Sequence, residues 1–296
     1  MDKVKVGIPR AIHYYYSHIF WKYFFKKCNI DVIYSPKTTK EILEIGKSIA
    51  PDEMCLSMKI YLGHVACLEG KCDYILVPRI DRFDDYNQTC TNFLALYDLV
   101  NHFFTTPILN YNIDSKNHLL DGLLSLEKEL RLSKIKIIEA YEYALRKEKE
   151  WQQEKAKEQE NILKSAHKKV LIVSHAYNIH DEFVGSDLSK LLEKNNIQFV
   201  YSDYFLPEVT SSLSKKISKN LYWKYSKESI GAIPLCKEID GIIFLSTFPC
   251  GLDSLVHELV IRKIEKPYLN LVIDDLSSMT GLETRIESFV DLIEQG

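Results

Sequence analysis

The stretch DGIIFLSTFPCGLDSLVHELVIRKIE, residues 240–265, changes its period in the middle. Ile242 to Leu245 form an unbroken apolar run, the length and composition of a strand buried on both faces. From Asp253 onward the apolar positions recur at helical spacing. Between the two stand Pro249, Cys250 and Gly251, a turn that carries a thiol. Strand, turn and helix make half of a βαβ unit, and the same alternation continues outward on both sides. KKVLIVS and IQFVYSD read as strands around the helix VGSDLSKLLEK, and PYLNLVID is followed by the helix GLETRIESFVDLIE. The N-terminal third repeats the pattern. VKVGI, DVIYS, DYILVP and PILNY are strand-like, with helical runs at Tyr14 to Lys27, KEILEIGKSI, LSMKIYLGHVACLE and FLALYDLVNHFF. The expected fold class is α/β, with two doubly wound (Rossmann- or flavodoxin-like) parallel-sheet domains.

The middle of the chain breaks the alternation. From Asn117 to about Lys169 there is no proline, and the only glycine is Gly122. Ile138, Tyr141 and Leu145 form an apolar helical stripe, and RKEKEWQQEKAKEQE is a solvated charged face. The expected domains are therefore 1–115, a helical linker over 116–168, and 169–296.

Composition narrows the function. The 296 residues are 46% hydrophobic and 27% charged with a net charge of −3, which offers no basic surface for nucleic acid or an acidic membrane. No apolar run approaches the roughly 20 residues that span a bilayer. MDKVKVGIPR has charges where an export signal needs an apolar segment, so a cytoplasmic protein with reduced thiols is expected. Seven irregularly spaced cysteines do not suggest a disulfide framework.

In open parallel sheets, chemistry gathers at the carboxyl ends of the strands, where the following helices start. That rule sorts the thiols. Cys55, Cys90 and Cys250 each directly precede a helical pattern on this edge, whereas Cys28, Cys67, Cys72 and Cys236 fall on the opposite edge or in the packing layer. Helix N-termini favour thiolates and anionic iron–sulfur clusters, because unpaired amides and the helix dipole face the negative charge. Spacing alone leaves two readings open, a shared metal site or unrelated thiols. A zinc site using His64 is disfavoured, since nine residues of helix separate it from Cys55, roughly 13 Å at 1.5 Å per residue. A Cys–His nucleophile with His257 or His175 as base is a further alternative, although His257 reads as a half-exposed surface histidine.

At these residues the chain resembles the acyl-CoA dehydratase activase-related proteins, relatives of the 2-hydroxyacyl-CoA dehydratase (2-hydroxyglutaryl-CoA dehydratase type) subunits and of double-cubane cluster proteins. The stretches that carry the resemblance are VGIPRAIHYYY, WKYFFKKCNIDVIYSPKTTKEILEIG, DEMCLSMKIYLGHV, YILVPRI, SHAYNIHDEFVG, DGIIFLSTFPCGLDSLVHELVIR and GLETRIESFVDL. They cover both sheet regions. The cluster cysteines of that family's CLPxK, CPK-like and CGPDS motifs fall on Cys55, Cys90 and Cys250. The prolines of those motifs are replaced here by Ser57, Thr91 and Leu252, which leaves the turns less rigid.

The resemblance implies a [4Fe–4S] cluster, or a bridged double-cubane [8Fe–9S] cluster, in a cleft between the domains. It implies reduction by an ATP-hydrolysing activase for low-potential chemistry on an acyl-CoA or small substrate. A second dehydratase-like subunit or a homodimer is the further partner it suggests. No GxxxxGK[ST] phosphate loop occurs, so ATP is expected to act only through the partner activase. Lys59, His64, Arg79, Asp253 and Ser254 are expected around the cluster, with helix capping as the other reading of Asp253 and Ser254. The rival readings are a non-catalytic cluster carrier or assembly partner, and a cluster-free α/β binding protein.

Overall fold

The computed structural model describes residues 3–275 and 279–295. The chain divides into two compact units, Met1–Trp151 and Gln152–Gly296.

In the first unit, strands β1 (Lys5–Ile8), β2 (Asp31–Tyr34), β3 (Tyr74–Leu76) and β4 (Ile108–Leu109) form a parallel sheet in the order β2-β1-β3-β4. Helix α1 (His13–Cys28) presents Phe20, Trp21, Phe24 and Phe25 to the core, each no more than 3% exposed. Each such side chain contributes roughly 1.5–3 kcal/mol of transfer free energy, so this one helix anchors the unit. It stops at Asn29, whose left-handed φ of 57° lets its N–H bond back to Lys26. Helix α2 (Lys40–Ile49) starts on Thr39, whose hydroxyl accepts the Ile42 N–H. It pairs with α3 (Leu56–Ala66), and α4 (Thr91–Phe103) follows the short ribbon Arg82–Asp84/Asn87–Gln88.

The region expected as a linker begins with two short helical pieces, Leu119–Leu124 and Glu127–Leu130. Leu123, Leu126 and Leu130 pack into the core of the first unit. Helix α5 (Lys134–Leu163) then contains the boundary between units. Its buried stripe differs from the expected one. Ile137, Ala140 and Ala144 are fully buried, while Ile138 and Leu145 are each 37% exposed. Small alanines bring the helix close to the core, and the larger residues one position on lie at its flank. Tyr141 packs on the same core, as expected. Farther along, Gln159 accepts the Tyr201 N–H at 2.7 Å, and Ile162 and Leu163 join the core of the second unit.

The second unit repeats the architecture. Strands β5 (Lys169–Val173), β6 (Gln198–Tyr201), β7 (Gly241–Thr247) and β8 (Tyr268–Ile273) are all parallel, in the order β6-β5-β7-β8. Every residue of β7 is buried, because it lies between β5 and β8 with helices on both faces. Helices α6 (Ser186–Lys194) and α9 (Met279–Gln295) pack into one core of this sheet, and α7 (Lys224–Gly231) and α8 (Gly251–Ile261) into the other. Both sheets are thus doubly wound and α/β, with the strand order reversing between β1 and β3 and between β5 and β7. The carboxyl ends of those strands are the places where such sheets hold ligands.

Candidate functional site

At the second reversal point, β5 runs into Ser174 and His175, and β7 runs into Phe248, Pro249 and Cys250. Cys250 is the N-cap residue of α8, with extended dihedrals, and its Sγ accepts the Asp253 N–H at 3.5 Å. The sulfur thereby takes one of the amides that every helix start leaves unpaired. Ser254 sends its hydroxyl back to the Cys250 carbonyl at 2.9 Å. Asp253 does not use its carboxylate as a cap. The side chain turns inward, 96% buried, with Oδ1 2.9 Å from His175 Nε2. Burial alone would raise this carboxyl, but the pull of His175, with its hydrogen bond, and of His257 holds it below the usual carboxylate range.

His257 is not the surface residue its sequence context suggests. It is buried, with its ring 4.9 Å from Phe244. Asp253, Val256, His257 and Val260 share the inner face of α8, so the i, i+4 spacing puts carboxylate and imidazole on the same side. Burial lowers the pKa of the ring. His175, for its part, stacks on Tyr177 at 5.0 Å. Arg285 donates to the Asn270 carbonyl.

In the first unit, Cys55 is the N-cap residue of α3 and Cys90 that of α4, both with extended dihedrals. Asn92, on the first turn of α4, donates its amide to Cys55 Sγ at 3.5 Å, so the two helix starts adjoin. Lys59 Nζ is held by the Asp52 carbonyl at 2.9 Å. Arg79 pairs with Asp98 of α4 at 3.2 Å, half-exposed, and lies over the Tyr97 ring. His64 is fully buried, its two ring nitrogens 2.8 and 2.9 Å from the hydroxyls of Ser35 and Thr38. Burial pushes its pKa down to about 4.

Two features at the end of β1 gave no sequence signal of function. Ile12 has φ 47° and ψ −99°, rare for a β-branched residue. His13 beside it is buried with its ring edge-on to Phe93, and its pKa is lowered to about 3 by burial.

The other four cysteines do not begin helices. Burial pushes the Cys28 thiol up to about 11 and the Cys236 thiol up to about 12, and it raises Cys67 and Cys72 as well. Among the described residues, which include all seven cysteines, there is no disulfide. The donor chemistry of Cys55, Cys90 and Cys250 fits an anionic cluster, since each begins a helix and two of the sulfurs already accept N–H bonds. Within either unit, among the described residues, no group of three or more His, Cys, Asp or Glu side chains is placed to hold a metal ion. Also among the described residues, no helix is long and apolar enough to cross a membrane.

Residues 5–205 match the family described as CoA enzyme activase uncharacterised domain (DUF2229). The chain belongs to this family. Membership in the CoA enzyme activase domain family agrees with the resemblance to acyl-CoA dehydratase activase-related proteins. The matched segment includes Cys55 and Cys90 and ends before Cys250. No curated protein matches the chain. Among solved structures, one described as a sugar transporter from Clostridium phytofermentans is 12% identical, covering 99% of this chain and 94% of its own, with a TM-score of 0.20. A similarity that low carries no argument about fold or function.

Proposed function

We propose that this CoA enzyme activase-family protein is the electron-accepting iron–sulfur component of a 2-hydroxyacyl-CoA dehydratase-like or related reductive system. Cys55 and Cys90 of the first unit and Cys250 of the second are its cluster ligands. The observation that supports the reading most is the sorting of the thiols. Three of seven cysteines, Cys55, Cys90 and Cys250, begin helices, and the other four do not. A [4Fe–4S] or double-cubane [8Fe–9S] cluster, when bound, supplies a low-potential one-electron centre. The protein's own contribution is to orient the sulfurs: Asp253 N–H holds Cys250, and the Asn92 amide holds Cys55. Lys59 and Arg79, on the helix after Cys55 and at the end of β3, supply positive charge in the same unit as Cys55 and Cys90. The partner expected for reduction is a separate ATP-hydrolysing activase, and the compartment expected is the cytoplasm.

Chemical analysis of anaerobically purified protein tests this. We expect iron and acid-labile sulfide in wild type, with loss of most of the iron in Cys55→Ser, Cys90→Ser and Cys250→Ser. Cys28→Ser, Cys67→Ser, Cys72→Ser and Cys236→Ser should retain it. Equal loss in both groups would remove the basis for the assignment. The lack of a three-ligand group within either unit, among the described residues, favours a second reading, a cluster-free α/β binding protein on the same scaffold. Iron and sulfide near zero in anaerobic protein would select it. A cluster that an activase with ATP cannot reduce would instead make the chain a carrier or assembly partner.

A further inference from the structure

Behind Cys250, inside the second unit, lies a small cavity with three polar atoms that have no hydrogen-bond partner among the described residues. They are Asp253 Oδ2 and His257 Nδ1 from α8 and Ser226 Oγ from α7, each on a residue at least 96% buried. All three residues line the same space, which Val173, Ile230 and Val256 close on its apolar sides. The room for a water's centre is about 10 Å³, which is the size for one water molecule rather than two. Other polar neighbours of the cavity are already engaged. Ser229 donates to the Ser174 carbonyl at 3.0 Å, and His175 binds Asp253.

We propose that this cavity is a binding site for one permanently ordered water. The valences close. A water has two protons and two lone pairs. Asp253 Oδ2 can only accept, and a neutral His257 protonated on Nε2 presents a bare Nδ1 that also accepts. The water donates one proton to each and receives the third bond from the Ser226 hydroxyl. Three bonds is the usual number for a buried water. Without it, a carboxylate oxygen, an imidazole nitrogen and a hydroxyl would all be desolvated with nothing in return, which costs far more than immobilising a single water. The water completes a chain from His257 through Asp253 to His175, and it ties α7 to the first turns of α8. It thereby holds, from a third element, the turn that presents Cys250. The inference depends on nothing bound at Cys250, so it stands or falls separately from the reading above.

The test uses the full chain without metal. Oxygen-17 magnetic relaxation dispersion counts waters that exchange more slowly than the protein tumbles. Ser226→Val puts methyl groups into the cavity and removes one donor, so the count should fall by one relative to wild type. An unchanged count in a variant with wild-type circular dichroism overturns the site. Should Ser226→Val fail to fold, wild-type protein alone decides. The proton between the two ring nitrogens of His257 should show a cross-peak to water with the sign of a slowly exchanging molecule. An assigned His257 ring proton without that cross-peak overturns the proposal.

Discussion

Lowering the pH from 7 to 5 should remove a large part of the stability of the first unit. Two of its histidines are buried and hold pKa values far below the ordinary 6.5, His13 at about 3 and His64 at about 4. Unfolded, both would titrate near 6.5, so the unfolded state binds more protons as soon as the pH drops below that value. Stability that is present above pH 6.5 is therefore lost on the way down, and the loss levels off only below the folded values. Each histidine contributes roughly 1.9 kcal/mol of this loss between pH 7 and 5, about 4 kcal/mol for the pair. Against the 5–15 kcal/mol typical of a folded domain, that is enough to bring the first unit near its limit. The carboxylates of this unit with lowered values, such as Glu69 and Asp114, act in the same direction but only near and below the carboxylate range. The raised thiols titrate well above neutrality. The window between pH 7 and 5 thus belongs to histidines. In a Trp151→Phe/Trp223→Phe background, the buried Trp21 reports on the first unit alone, and urea midpoints at pH 7, 6 and 5 give the slope. His13→Phe keeps a flat ring against Phe93 and should halve the pH dependence. A stability flat across these three pH values would refute the burial assigned to both rings.

Why the sequence conceals these histidines is instructive. The strand–turn–helix at residues 240–265 was legible because one segment carries both signals, an apolar run and then a helical period. β7 and α8 appear where that pattern puts them, and so do the helix starts after Cys55 and Cys90. A buried polar residue carries no such local signal, because its partners come from elsewhere in the chain. His64 is satisfied by Ser35 and Thr38, and Asp253 by His175, 78 positions earlier. His257 sits on an apolar helix face, a pattern that a surface histidine can also show until Phe244 and Asp253 are in place. The stripe on α5 misled for a different reason. Apolarity weights Ile138 and Leu145 above Ala140 and Ala144, whereas close approach of a helix to a core selects the smaller pair.

The same close approach yields the other large effect, at α2 and α3. Gly46 of α2 lies against the backbone of α3, and a Cβ there would sit 1.8 Å from the Lys59 carbonyl oxygen. Gly63 of α3 lies against α2 in turn, with its Cβ position 2.0 Å from the Ile42 carbonyl oxygen. Neither obstacle is a side-chain end that can swing away. Both are main-chain atoms of a helix, so an alanine at either position must push the helices apart. In an exposed helix, replacing glycine by alanine gains up to about 1 kcal/mol. Here we expect Gly46→Ala and Gly63→Ala each to lose about 3 kcal/mol or more, the upper range for overpacking. Since one separation of the helices relieves both clashes, the double variant should cost much less than the sum of the two. Urea denaturation of the three variants tests this, and a single variant as stable as wild type would contradict the packing. Separation would also reach the candidate site. Helix α3 begins at Cys55, so a displaced α3 should draw its sulfur away from the Asn92 amide and speed alkylation of that thiol in the variants that still fold.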